Sequence, residues 1–122
     1  NGWEIFYRED GVWFRELMPY PVFSGTRGKS VAVADIDEDG AWDFVASFEG
    51  ARDRSGVLAV TSFRSNRPNF LDISGLTGIK YDFVVLLDMD GDGDLDVLTC
   101  EETGGDGSKQ GLGIIWYENP LR

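Results

Sequence analysis

Val31-Ala-Val-Ala-Asp35-Ile-Asp37-Glu-Asp39-Gly40-Ala-Trp-Asp43-Phe-Val-Ala46 and Val84-Val-Leu-Leu-Asp88-Met-Asp90-Gly-Asp92-Gly93-Asp94-Leu-Asp96-Val-Leu-Thr99 align without a gap at an offset of 53 residues. In each, an apolar run leads into a loop with aspartates at positions 1, 3, 5 and 9, and a second apolar run follows. The register extends upstream, where Gly25 falls on Gly78. A second set of segments runs between these: Gly2-Trp-Glu-Ile-Phe-Tyr7, Gly56-Val-Leu-Ala-Val-Thr61 and Gly113-Ile-Ile-Trp-Tyr-Glu118, each a glycine followed by an apolar or aromatic run. Self-similarity at a fixed spacing of this size marks a repeat architecture, in which neighbouring units bury one another's apolar faces.

The apolar runs are short and bounded by turn residues, which is the pattern of strands. Val31 to Ala34 and Val84 to Leu87 are continuous apolar runs, as expected of strands buried on both faces. Phe44 to Phe48 and Val97 to Cys100 follow the acidic loops, then Val57 to Phe63 and Ile114 to Tyr117, with Val12 to Leu17 and Asn69 to Ile73 as the fourth type of strand. No segment sustains an apolar pattern at helical spacing with a cap, so no long helix is expected. Four short strands in each repeat predict an all-β fold of four-stranded antiparallel β-propeller blades. Residues 1–24 are read as the end of one blade, 25–77 as a full blade and 78–122 as a last blade lacking its outer strand. A ring has typically four to eight blades, so about two blades plus partial strands predict part of a larger or assembled ring. The competing reading is a small β-sandwich with two similar hairpins.

The acidic loops carry the chemistry. Asp35, Asp37, Asp39 and Asp43 in one loop, and Asp88, Asp90, Asp92 and Asp96 in the other, are candidate ligands of a hard cation such as Ca²⁺, which takes six to eight oxygens. Gly40 and Gly93 at position 6 permit the sharp bend, and position 7, Ala41 or Asp94, adds its backbone carbonyl. Two calcium sites are therefore expected. Unit charges about 4 Å apart repel by ~4 kcal/mol at intermediate dielectric, so such loops call for a counter-charge. The EF-hand fails as an alternative: it needs a bidentate Glu at position 12, where this chain has Ala46 and Thr99, and the flanks read as strands. A polar turn held by Asx hydrogen bonds is the other reading.

Asp-x-Asp-x-Asp-Gly-x-x-Asp between two strands, followed by a Gly-led strand ending in Trp116-Tyr117-Glu118-Asn119, resembles the FG-GAP/VCBS repeat family. Asp35 to Asp43 is a second copy, and the repeats cover nearly the whole chain. The resemblance implies a bladed propeller with Ca²⁺ in the hairpin between the first and second strands of each blade. It also implies an extracellular or periplasmic setting, as in the integrin α-subunit propeller and many secreted bacterial proteins. Glu38 replaces the usual glycine of the first loop, and Thr61-Ser62-Phe63 replaces Trp-Tyr-Glu; neither change removes a proposed ligand.

Composition narrows the function. Eleven basic against 22 acidic residues give a net charge of −11, which disfavours nucleic acid and anionic membranes. No apolar run reaches the ~20 residues that span a bilayer. The absence of histidine removes Ser-His and Cys-His catalysis, and one cysteine, Cys100, rules out an internal disulfide. The chain begins Asn1-Gly2-Trp3, without an initiator methionine, and is expected to be a processed product or a piece of something longer.

Other candidates read as structural. Gly25-Thr-Arg-Gly28-Lys29-Ser30 ends like a phosphate loop, but its spacing is wrong and a strand follows. The connection from Thr103 to Leu112 is longer than that from Gly50 to Ser55 and reads as an insertion. Trp3, Trp13, Trp42 and Trp116 could stack on sugar rings, but the favoured reading is packing between blades, with Trp42 in the metal loop as the exception; Cys100 is expected as a buried apolar residue. Glu101-Glu102 could be paired glycosidase carboxylates, against the favoured reading of a solvated strand end. The function expected is a non-catalytic, calcium-stabilised module that meets other propeller blades and binds a protein or glycan. The alternatives are a propeller segment of a secreted carbohydrate-active enzyme and a purely structural spacer.

Overall fold

The computed structural model describes residues 1–121. The chain is all-β, with nine strands and no helix among the described residues. They are β1 (Gly2–Glu9), β2 (Val12–Pro19), β3 (Arg27–Ala34), β4 (Asp43–Glu49), β5 (Val57–Thr61), β6 (Asn69–Asp72), β7 (Tyr81–Leu87), β8 (Asp96–Glu101) and β9 (Gly113–Tyr117). These form three antiparallel sheets: a β1-β2 ribbon, a four-stranded sheet in the order β3-β4-β5-β6, and a three-stranded sheet in the order β7-β8-β9. No sheet closes into a barrel. Asp10 and Gly11 make the ribbon's two-residue turn, both at positive φ (48° and 79°), the geometry for which Asp-Gly is favoured.

The four-stranded sheet lies between the other two and is covered on both faces. The row Ala32, Val45, Ala59, Leu71 crosses it on one face. This row packs with Val57 and Ile36 against Tyr81, Val84 and Val97 of the three-stranded sheet. The row Phe44, Val60, Phe70 crosses the other face and joins Ala46, Phe48 and Leu58 against Met18, Trp3, Ile5 and Tyr20. Trp3 meets Tyr20, Phe44 and Phe48 edge-on at 4.6, 5.2 and 5.9 Å between ring centroids.

The strands buried on both faces are β4 and β5, not the first strands of the repeats. Val31 and Val33 of β3 are 49% and 59% exposed, and Val85 and Leu87 of β7 are also exposed. The reason is what covers each face: among the described residues, no sheet lies over the outer face of the three-stranded sheet, which carries Val85 and Leu87. β3 and β7 are edge strands whose alternate residues face in opposite directions. Ala32 and Leu86 pack into the core between the sheets. Val31 and Val33 look past the ribbon, which covers only the neighbouring strands.

Three of the four tryptophans, Trp13, Trp42 and Trp116, are exposed, so only Trp3 packs between sheets. Cys100 is half-buried and free. Glu101 is not a solvated strand end: it is buried, and its carboxylate accepts the N–H groups of Ile79, Lys80 and Leu112 at 2.8, 3.1 and 3.0 Å. The Gly25–Ser30 segment enters β3, and no helix follows; Lys29 there pairs with Glu49 and Asp82.

Candidate metal centres

Each acidic loop joins the first strand of its sheet to the second, β3 to β4 and β7 to β8. Short aspartates at alternate positions fold these loops by accepting backbone N–H groups. In the β3–β4 loop Asp35 accepts the amides of Asp39 and Gly40 at 3.0 and 2.7 Å, Asp37 accepts that of Asp39 at 3.2 Å, and Asp39 accepts that of Ala41 at 2.9 Å. The β7–β8 loop repeats the pattern. Asp88 accepts Gly91, Asp92 and Gly93 at 2.8, 3.1 and 3.0 Å; Asp90 accepts Asp92 and Asp92 accepts Asp94, both at 3.1 Å. Gly40 and Gly93 stand at φ 91° and 99°, where a side chain is strained.

Position 9 is different. Asp43 and Asp96 are fully buried. Each closes its loop at the base: Asp43 accepts Ile36 at 3.0 Å and Ser62 at 3.4 Å, while Asp96 accepts Met89 at 3.0 Å and Asn119 at 2.9 Å. Each aspartate therefore ties its loop to the end of the third strand of its sheet. The carboxylate keeps free lone pairs, since two oxygens offer about four acceptor sites.

The carboxylates converge. Asp35, Asp37, Asp39 and Asp43 each place an oxygen within 4.8 Å of the others. In the second loop Asp88, Asp90 and Asp96 do the same, and two further sets form: Asp90, Asp92 and Glu118, and Asp94, Asp96 and Glu118. Both clusters can hold a metal ion. Their donors are all oxygen, the set that suits a hard cation. Asp94, read from sequence as a carbonyl ligand, brings its carboxylate into the second cluster as well. Glu118 was missed as a candidate ligand. The Trp-Tyr-Glu-Asn run marked it as part of a motif, but only the pairing of β9 with β8 carries it to the loop.

Loss of hydration, and after it the crowding of like charges, shows in the titration of three of these groups. Burial, with the charges of Asp43 and Asp39, raises Asp37 from its ordinary value. Loss of hydration and then the charge on Asp92 raise Asp94 to about 6. Loss of hydration followed by the charges of Asp90 and Asp96 raises Glu118 to about 7. Asp92 moves the other way, because the backbone N–H of Asp94 stabilises its charged form.

Asn119 follows Glu118 and is buried. Its side-chain amide donates to the carbonyls of Ile36 and Leu95, both at 2.9 Å. Ile36 belongs to the first loop and Leu95 to the second, so one side chain joins the two. Beside the ribbon, a cleft of about 640 Å³ runs between β1 and β3, lined by Trp3, Ile5, Val31, Val33 and Phe63, among others, with Arg64 over the Tyr7 ring at its lip. Comparison of the chain with family models, curated protein sequences and solved structures finds no match, so the reading of these centres stands on their geometry.

Proposed function

We propose that this chain is a non-catalytic, calcium-stabilised set of β-propeller blades that presents loops to a protein or glycan ligand in an extracellular or periplasmic setting. The observation that carries the reading is one loop geometry repeated at the same place on adjacent sheets, with converging carboxylates and matching amide contacts. Calcium suits such loops better than magnesium, which demands near-ideal octahedral geometry and keeps its water. The resemblance to FG-GAP/VCBS repeats supports the same assignment.

The uncovered apolar faces support continuation of the stack into further blades, supplied by a longer chain or by other copies. Val84 is buried against the central sheet, whereas Val31, its counterpart one repeat earlier, is exposed beside the cleft. A further sheet of the same kind, placed as the central sheet is placed on β7, would cover it. At the other end Val85, Ile114 and Trp116 form an exposed face on the three-stranded sheet. The enzyme alternative draws no support from its best carboxylate pair, because Glu101 is buried on three backbone amides.

Thermal unfolding in calcium and in chelator tests the proposal. Each site adds about 2.7 kcal/mol when calcium is at 100 times its Kd, so the transition moves up by several degrees. An unchanged transition would remove calcium from the account. A chain that stays a stable monomer at high concentration would remove continuation of the stack through other copies.

A further inference from the structure

We propose that the β7–β8 loop takes two divalent cations where the β3–β4 loop takes one, the additional ion being held by Asp94, Asp96 and Glu118. This inference rests on the reading of both loops as calcium sites. Oxygens around one calcium ion lie within about 5 Å of one another, because each calcium–oxygen distance is ~2.3–2.6 Å. The four carboxylates of the β3–β4 loop meet that condition as one set. The six acidic side chains of the β7–β8 cluster do not. They divide into three sets of three, and Asp88 shares none with Asp94 or Glu118. The set of Asp88, Asp90 and Asp96 that would hold one ion contains neither Asp94 nor Glu118.

A second observation points to a ligand there. Asp94 is only 7% exposed, and its Oδ1 is buried with no hydrogen-bond partner. A buried carboxylate oxygen left unpaired is costly, and a cation seated on the trio supplies what it lacks. Asp96 belongs to both outer sets and can bridge the two ions, since its two amide contacts leave lone pairs unused. The other loop has no such equipment: Ala41 stands in place of Asp94, and Thr61 in place of Glu118. Charge follows the same division. Four carboxylates with one divalent cation, and six with two, leave the same residual charge of two. The added ion would fasten the end of β9, which carries Glu118, to the β7–β8 loop.

Equilibrium dialysis against calcium, with bound metal counted by elemental analysis, tests the assignment. Wild-type chain is expected to bind three ions, and Glu118→Gln two. Glu118 is exposed, so this variant leaves packing intact; Asp94→Asn provides a second route to the same loss. Asp37→Asn is also expected to bind two, by losing the ion of the other loop. Two ions in both wild type and Glu118→Gln would overturn the additional site while leaving one ion per loop. Three ions in both would overturn its assignment to Glu118. No bound calcium in any chain would overturn the calcium reading itself.

Discussion

Among single residues, the glycines at position 6 of the loops give the clearest test of local geometry. Gly93 sits at φ 99°, and a methyl group there would meet nothing within 4 Å. Any cost of Gly93→Ala is therefore backbone strain rather than a clash. The expected loss is ~1–2 kcal/mol, measured as a lower urea midpoint with an unchanged slope. The titration of Glu118 makes a second test. Its carboxyl is raised from 4.5 to about 7 in the folded chain, so the native state holds this proton more tightly than the unfolded state. Its contribution is fully present below the ordinary value of 4.5 and is lost as pH rises through about 7. In chelator, the wild-type chain should lose stability over this window relative to Glu118→Gln. Calcium should abolish the difference in slope by supplying the missing counter-charge. Parallel pH profiles of the two chains in chelator would contradict this account.

At the level of the element, the β1-β2 ribbon depends on very few anchors. It pairs with no other strand; its apolar contacts with the central sheet run through Trp3, Ile5, Met18 and the neighbouring Tyr20, and Arg64 adds an ion pair with Glu9 and lies over the Tyr7 ring. Trp3 is its main attachment, since its ring meets three aromatic neighbours edge-on. Trp3→Ala should cost about 3 kcal/mol, in the range for removing a packed aromatic side chain. The loss should be local. Amides of β1 and β2 should lose protection from hydrogen exchange while those of β4 and β5 keep theirs, because the latter are closed on both faces. A uniform loss of protection across all strands would show instead that the ribbon and the central sheet unfold as one.

Across the whole molecule, Asn119 joins sheets that have no strand pairing between them. Its two donated bonds reach one carbonyl on each acidic loop, and the residue is buried. Asn119→Ala leaves both carbonyls without this partner and should destabilise the chain by ~1–3 kcal/mol, read from denaturant unfolding. It should also weaken calcium binding at both loops, seen by calorimetric titration, because each loses a fixed point at its base. A change confined to one loop would show that the other is held by its own Asp alone. The ion pair of Lys29 with Asp82 also spans the two sheets, while that of Lys29 with Glu49 stays within the central one. Being solvent-accessible, they contribute less than the buried amide.

The sequence alone was enough to place the strands and the paired acidic loops. Both are written in local patterns: alternation of apolar residues, turn glycines, and aspartates spaced so that each accepts its neighbours' amides. The all-β class followed from those patterns, and so did Asp35, Asp37, Asp39 and Asp43 as one converging set. What lay outside local pattern was decided by the tertiary structure. Val31 and Val33 read as buried because an apolar run does not say whether a neighbour covers it. Glu101 read as solvated because its three amide partners come from two separate loops. Glu118 and Asn119 acquired their places only when β9 paired with β8 and carried the end of that strand to both loops. Spacing along the chain determines which groups can form a turn; which groups meet across sheets depends on contacts between residues far apart in sequence, and only the packed fold supplies those.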